Sequence, residues 1–410
     1  MNHDQKIEVL REQGVEIPSA SSIEIGDDVV LENIQGPGTV LHAGSKLYGA
    51  QTMVMPGAKI GWESPVTVHD CALGRGVELA GGFHSGAVYL EKASMGSGAQ
   101  VRAGTLLEEQ ANGAHTVGLK QTILLPFVTL GSLINFCDVL MSGGTSREDH
   151  SEVGSSFIHF NFTPFGKRGD KATASLIGDV PRGAFLRERR IFLGGQAGLV
   201  GPVSIGYGTV LAAGAVYRRD HGPDELVVGE ELKPFSKPFT TASYRRVRDK
   251  VDRNLRYVGN VAALYHWYQK VRLPLASGDK ALSALYGRAV ALLEGALGER
   301  IKRLGQLASY MEASIATLEA EGGSKTQREI EEQRAFAARW PAMKDFLSAY
   351  AERDGSSHAD YAPFAEAASK LSLADGYIEA IQSGLSDDAA AQGSRWLQSI
   401  VDETLTGAWA

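Results

Sequence analysis

Between residues 193 and 220 a large apolar side chain recurs every six positions: Leu193, Leu199, Ile205, Leu211 and Tyr217. Gly194, Gly206 and Ala212 follow three of them directly. An amphipathic helix repeats near 3.6 residues and a half-buried strand at about 2, so neither accounts for this beat. A short strand plus a corner does. Three such units close a triangular coil of about 18 residues, in which the aliphatic residue points into the prism and neighbouring coils bury each other's core. Glycine suits the corners because it tolerates backbone angles that other residues resist.

The beat recurs less regularly upstream. Ile25-Gly26, then Val40, Leu47, Val54 and Ile60, keep it, as do Met95, Val101 and Leu107, and Val117 with Ile123. Val153-Gly154 and Ile177-Gly178 mark further corners. The pattern predicts a mainly β fold, a parallel β-helix of hexapeptide repeats over residues 21–228, after an N-terminal segment at 1–20. Two stretches interrupt it, MSGGTSREDHSE (141–152) and FNFTPFGKRGDKATAS (160–175). Both are polar and too long for corners. Loops leaving a rigid scaffold are where binding and catalytic groups concentrate, so candidate chemistry belongs there.

After a proline-containing linker at 229–240 the period changes. Val247, Val251, Leu255, Val258, Val261, Leu264, Tyr268 and Val271 stand three or four apart and predict a helix ending before Pro274. Leu293, Leu297, Ile301, Leu304, Met311, Ile315 and Leu318 predict a second long one. Residues 241–410 therefore read as an α-helical domain. Arg245, Arg246, Arg248, Arg253 and Arg256 form a basic flank, expected to be solvated. Tyr257, Tyr265, Trp267 and Tyr268 are expected to pack between helices.

Composition narrows the function classes. The 410 residues carry a net charge of −7, which argues against a nucleic-acid partner, because phosphate binding leaves a basic footprint. Only 2 cysteines occur, so no disulfide framework is expected. The polar start MNHDQKIEVLREQG has no signal-peptide core, and no apolar run reaches the roughly 18 residues of a membrane span. A cytoplasmic location is expected.

The stretches LKQTILL, LGSLINFCDVLMSGG, HFNFTPFGKRGDKATASLIGDVPRG and VGPVSIGYGTVLAAGAVYRRD carry a family resemblance. The order Asn161-Phe162, Lys167, Lys171-Ala172-Thr173 and Ile177-Gly178-Asp179 resembles an element of the hexapeptide-repeat acyltransferases. The nearest in kind is the acetyltransferase domain of the bifunctional N-acetylglucosamine-1-phosphate uridyltransferase/glucosamine-1-phosphate acetyltransferases. The resemblance implies a left-handed β-helix and a homotrimer, with acetyl-CoA or another acyl-CoA as cofactor. It also implies a sugar phosphate or nucleotide sugar such as UDP-N-acetylglucosamine as ligand. Lys120, Asn161 and Lys167 would contact that ligand, since ammonium groups pair with phosphate oxygens and an amide can orient a sugar. The uridyltransferase half has no counterpart, because residues 1–110 do not alternate strand and helix.

One departure shapes the catalytic reading. Phe136 stands where the family places its catalytic histidine, and Val139 where it places a tyrosine. Acyl transfer then needs another base, and His150 or His159 is the candidate. His150 lies in REDHSE, where Asp149 or Glu152 could fix its tautomer, and His159 lies in FIHFNF between aromatics. Two other readings stay open. One is a non-catalytic sugar-nucleotide-binding or scaffold protein. The other is a metalloenzyme of the γ-carbonic-anhydrase type drawing on His84, His115, His150 and His159, although the close His-x4-His pair of that family is absent.

Overall fold

In the computed structural model the repeats wind into a parallel β-solenoid of about 11 turns, followed by a C-terminal helical region. Described are all residues except 165–168, 230–233, 235 and 237–238, and the side chains of 324 and 325. Successive partners stand one coil apart, Ser94 beside Asn112 and Phe192 beside Val210. Strands of a ten-stranded sheet, from Val40–Leu41 to Leu226–Val227, form the first face of the prism. The second and third faces belong to one sixteen-stranded sheet. They are joined because the strands Gly118–Leu124 and Asn135–Met141 run unbroken around the corner between them. Asp138 turns that corner with φ +62°, a left-handed conformation that aspartate tolerates better than most side chains.

Side chains at the beat positions fill the prism: Leu193, Leu199, Leu211 and Tyr217 are fully buried in one core with Leu47, Val54, Ile60 and Val101. Helix α1 (His3–Glu12) plugs the N-terminal end, its Ile7 and Leu10 entering the same core. An Asn2–Gln5 capping box starts the helix, each side chain accepting from the other residue's backbone N–H at 2.9 Å. The two predicted interruptions are real excursions. Thr129 pairs with Glu152 and Glu152 with Phe192, offsets of 23 and 40 residues, where a regular coil takes about 18.

In the tail, α2 (Val247–Trp267) runs on through a π-helical turn at Tyr268–Arg272 and a short helical turn, Leu273–Leu275. The expected second long helix is two, α3 (Lys280–Ser309) and α4 (Met311–Glu321), divided at Tyr310, whose ring stacks on Tyr244 at 5.8 Å. α5 (Ser324–Ser348), α6 (Tyr361–Ala368), α7 (Tyr377–Gln382) and α8 (Asp387–Gly407) complete it. Tyr257, Tyr265, Trp267 and Tyr268 are packed as expected. Arg245, Arg246, Arg248 and Arg253 pair with Glu321, Asp249, Asp252 and Asp220. No helix is long and apolar enough to cross a membrane, among the described residues.

The helices do not simply follow the solenoid: they cover its third face. Met53, Met55, Val88, Leu90, Leu106, Ile123 and Leu140, which point out of the prism there, share one core with α2, α3 and α8. A buried ionic cluster sits in the seam. Arg272 is fully buried, donating to both oxygens of Glu109 at 2.7 and 2.9 Å and lying 3.1 Å from Glu108. Tyr268 donates to Glu108 at 2.6 Å, and the guanidinium lies 3.5 Å from the Tyr377 ring centre. Such a cluster fixes one docking geometry, because each charge is costly wherever it is not matched.

Candidate functional site

Coil stacking turns an eighteen-residue spacing into contact. The register that pairs Val101 with Leu119 sets Arg102, one residue past its strand, level with Lys120, and Lys120 lies beside Cys137 in the next strand. Lys171 comes back to the same place from the end of the second excursion. All three cations act on the Cys137 thiol, yet burial and then Asp138 hold that thiol above its ordinary value. The result is a basic corner between the second and third faces, with Phe160 and Phe162 exposed beside it.

Asn161 belongs to this corner. Its side chain donates to Asp138 Oδ2 at 2.9 Å, and its backbone carbonyl accepts from Thr173 Oγ1 at 2.8 Å. Asp138 Oδ1 accepts from Arg300 of α3 at 2.6 Å. Backbone bonds between Thr163 and Asp170 (2.8 and 3.1 Å) close the base of the excursion. Lys167 lies outside the described residues, in the segment between them.

His159 does not face this surface. Its side chain is buried in the prism, with Nδ1 bonded to the Cys137 carbonyl at 2.6 Å and Nε2 to Ser175 Oγ at 2.7 Å. Burial, the dominant cause, pushes its pKa down to about 4. Both ring nitrogens are thus occupied by structural partners inside the prism. Phe136 and Val139 are equally interior, and Phe136 packs edge-on against Phe157 with ring centres 6.1 Å apart. A strand alternates its sides residue by residue. The outward neighbours of Phe136 are Asn135 and Cys137, so its aromatic ring marks a core position and no vacated surface site.

His150 lies on another corner, where the first excursion turns from the third face to the first. Gly144 and His150 form an antiparallel bridge that closes the excursion. Gly144 has φ +100°, and a Cβ there would stand 2.6 Å from the His150 Cα. His150 Nδ1 is 2.8 Å from the Arg147 carbonyl, which only accepts. The neutral ring therefore carries its proton on Nδ1 and presents a lone pair at Nε2, 3.9 Å from Glu152. The tautomer is set by a backbone carbonyl, where the sequence had suggested Asp149 or Glu152. The ring lines a groove of about 570 Å³ with Asp149, Glu152, Arg189, Arg190, Phe192 and Val210. Arg190 lies 3.4 Å from Asp149, and Arg189 pairs with Asp224.

The single chain thus brings Lys120, Asn161 and Lys171 together but not His150, which residues 139–141 of the covered third face separate from them. Arg102, Lys171, Arg189, Arg190 and Arg300 were missed as candidates. The stacking of Arg102 on Lys120 was legible in the coil length, whereas the Arg300 contact had no local signal. Among the described residues of one chain no group of three or more His, Cys, Asp or Glu side chains is placed to hold a metal ion.

No family model matches the chain. Curated proteins named bifunctional protein GlmU do. Those of Oleidesulfovibrio alaskensis and Thermotoga petrophila are both 28% identical, over 221 and 226 residues. About half of this chain is homologous to GlmU. The matches cover 52% and 55% of the chain and 41% and 44% of those GlmU proteins, so it spans less than half their length. A GlmU of Nocardia farcinica is likewise 28% identical, over 193 residues, 47% of this chain and 34% of its own. With the β-solenoid, the GlmU homology supports a hexapeptide-repeat, transferase-like protein.

Proposed function

We propose that the chain binds a sugar phosphate or nucleotide sugar at the Lys120–Asn161 corner and transfers an acyl group to it from acetyl-CoA or another acyl-CoA. The convergence of Arg102, Lys120 and Lys171 on one outward corner carries the reading. The buried acid beside them, Asp138, is already committed to Arg300 and Asn161. That leaves net positive charge for phosphate oxygens, with Lys167 a further contact, and Phe160 and Phe162 present flat apolar surface for a sugar or base.

The His150 groove is assigned to the acyl-CoA: Arg189 and Arg190, which pair with Asp224 and Asp149 in the unliganded chain, would exchange those carboxylates for its phosphates, and the exposed Phe192 and Val210 supply apolar surface. When bound, the thioester supplies the acyl group. His150 Nε2 would accept the proton from the attacking amine or hydroxyl as general base.

Joining the two corners requires a second copy. With the third face covered by helices, association is left to the first face, exposing Phe192, Val210 and Leu226, and the second, exposing Ile158 and Phe160. First-to-second-face contact is heterologous and gives a ring where its rotation is threefold, and such a homotrimer would set His150 of one protomer near the basic corner of the next.

Calorimetry with UDP-N-acetylglucosamine and glucosamine 1-phosphate, together with a thiol-release assay with acetyl-CoA, tests the reading. Lys120→Ala should weaken binding by about tenfold or more, the effect of losing a charge-assisted hydrogen bond. His150→Ala should cut turnover by roughly 10²-fold or more and leave binding intact. Binding without turnover in the unaltered protein would favour the non-catalytic reading, to which the separation of the two corners within one chain lends support. Absence of binding by both ligands would overturn the proposal.

A further inference from the structure

We infer that the helical domain is the positioning element of the ligand-binding excursion, with Arg300 holding Asn161 in place through Asp138. The inference deepens the sugar-binding reading and rests on it. Asp138 divides its carboxylate between the two parts of the molecule: Oδ1 accepts from Arg300 of α3 at 2.6 Å, and Oδ2 from Asn161 at 2.9 Å. With its Nδ2 engaged in this way, Asn161 turns its amide oxygen into a fixed acceptor for a sugar hydroxyl or amide N–H.

The rest of the excursion is held from the same side. Asn254 of α2 donates to the Ala172 carbonyl at 3.0 Å, and Lys250 of α2 pairs with Asp170, whose other oxygen accepts from the Ala172 N–H at 2.8 Å. The first excursion is gripped as well, by Gln382 of α7, which donates to the carbonyls of Thr145 (2.6 Å) and Leu186 (3.0 Å). Three side chains from two helices therefore meet the two segments that break the repeat, and Arg300 of a third helix meets Asp138, the strand residue to which Asn161 is tied.

The charge on Arg300 makes little sense as packing. Its side chain is 3% exposed, and its Nη1 has no hydrogen-bond partner among the described residues. A buried guanidinium that is incompletely matched costs stability, and an apolar side chain of similar length would dock α3 at lower cost. What an apolar side chain cannot do is hold the Asp138 carboxylate in the orientation that Asn161 requires. Ordering a loop costs conformational entropy at every residue. Meeting that cost on folding leaves more of the contact energy for the ligand.

The test uses the full chain with Arg300→Met, Arg300→Lys and Asn161→Ala. It reads amide hydrogen exchange without ligand and the Kd for UDP-N-acetylglucosamine. In Arg300→Met, the amides of 160–163 should exchange about tenfold faster, with those of 118–124 unchanged, and binding should weaken by about tenfold. Arg300→Lys, which keeps the charge, should fall between, and it carries the test if the methionine variant does not fold. Adding Arg300→Met to Asn161→Ala should weaken binding no further, because the two residues act in one chain of contacts. Unchanged exchange at 160–163, loosening that extends to 118–124, or additive losses in the double variant would each overturn the positioning role. Failure of the unaltered protein to bind UDP-N-acetylglucosamine would instead remove the sugar-site reading, while the exchange data still decide whether Arg300 orders the excursion.

Discussion

Acid should unfold the solenoid from the inside, through histidines buried as neutral rings. His84 is fully buried and points into the prism, with Nδ1 2.7 Å from the Tyr89 hydroxyl and Nε2 without a partner among the described residues. Burial lowers its pKa from 6.5 to about 4. Unfolded chain therefore takes up a proton that folded protein refuses. The stability at stake is fully present above pH 6.5 and is lost as the pH falls toward 4. Between pH 7.5 and 5 the loss works out at about 2 kcal/mol for this ring, a large share of a total stability of about 5–15 kcal/mol. The clean perturbation replaces both partners, His84→Phe with Tyr89→Phe, since removing a buried polar pair together is nearly neutral. Urea unfolding followed by far-ultraviolet circular dichroism at pH 7.5 and 5 measures it. The double variant should match the unaltered protein within about 1 kcal/mol at pH 7.5 and exceed it by about 2 kcal/mol at pH 5. Parallel pH profiles for the two proteins would refute the argument.

The domain seam should respond in the opposite sense. Burial, opposed by Arg272 and reinforced by Glu109, raises the Glu108 carboxyl from 4.5 to about 7, so its contribution is greatest below 4.5 and is lost as the pH rises toward 7. Glu108→Gln, which keeps an acceptor for Tyr268, should flatten the loss of helical-domain stability between pH 5 and 8 as followed by tryptophan fluorescence. A profile as steep as the parent's would count against it. Light scattering should give three times the 43.8 kDa chain mass, and Phe192→Asp with Val210→Asp should give one. A monomer before any substitution would remove the intersubunit site.

The spacing of Leu193, Leu199, Ile205, Leu211 and Tyr217 determined the solenoid on its own, because a repeating backbone adds the same local preference coil after coil. The stretches 141–152 and 160–175 were visible for the same reason, as failures of that repeat. The switch to spacings of three and four after Val247 likewise declared the helices. The apolar pairs of the third face, such as Leu106-Leu107, Ile123-Leu124 and Leu140-Met141, held a signal that both sides of that face are buried. What would cover it was not written there. Only the tertiary structure decided that His159 and Phe136 point inward while Cys137 points out, since one residue of register exchanges the two sides of a strand. It also decided that His150 and Lys120 stand on different corners, and that Asp138 meets Arg300 across more than 160 positions of chain. A contact of that range has no period to betray it: it exists because one helix docks on one face at one angle, and that choice is made by the whole seam together.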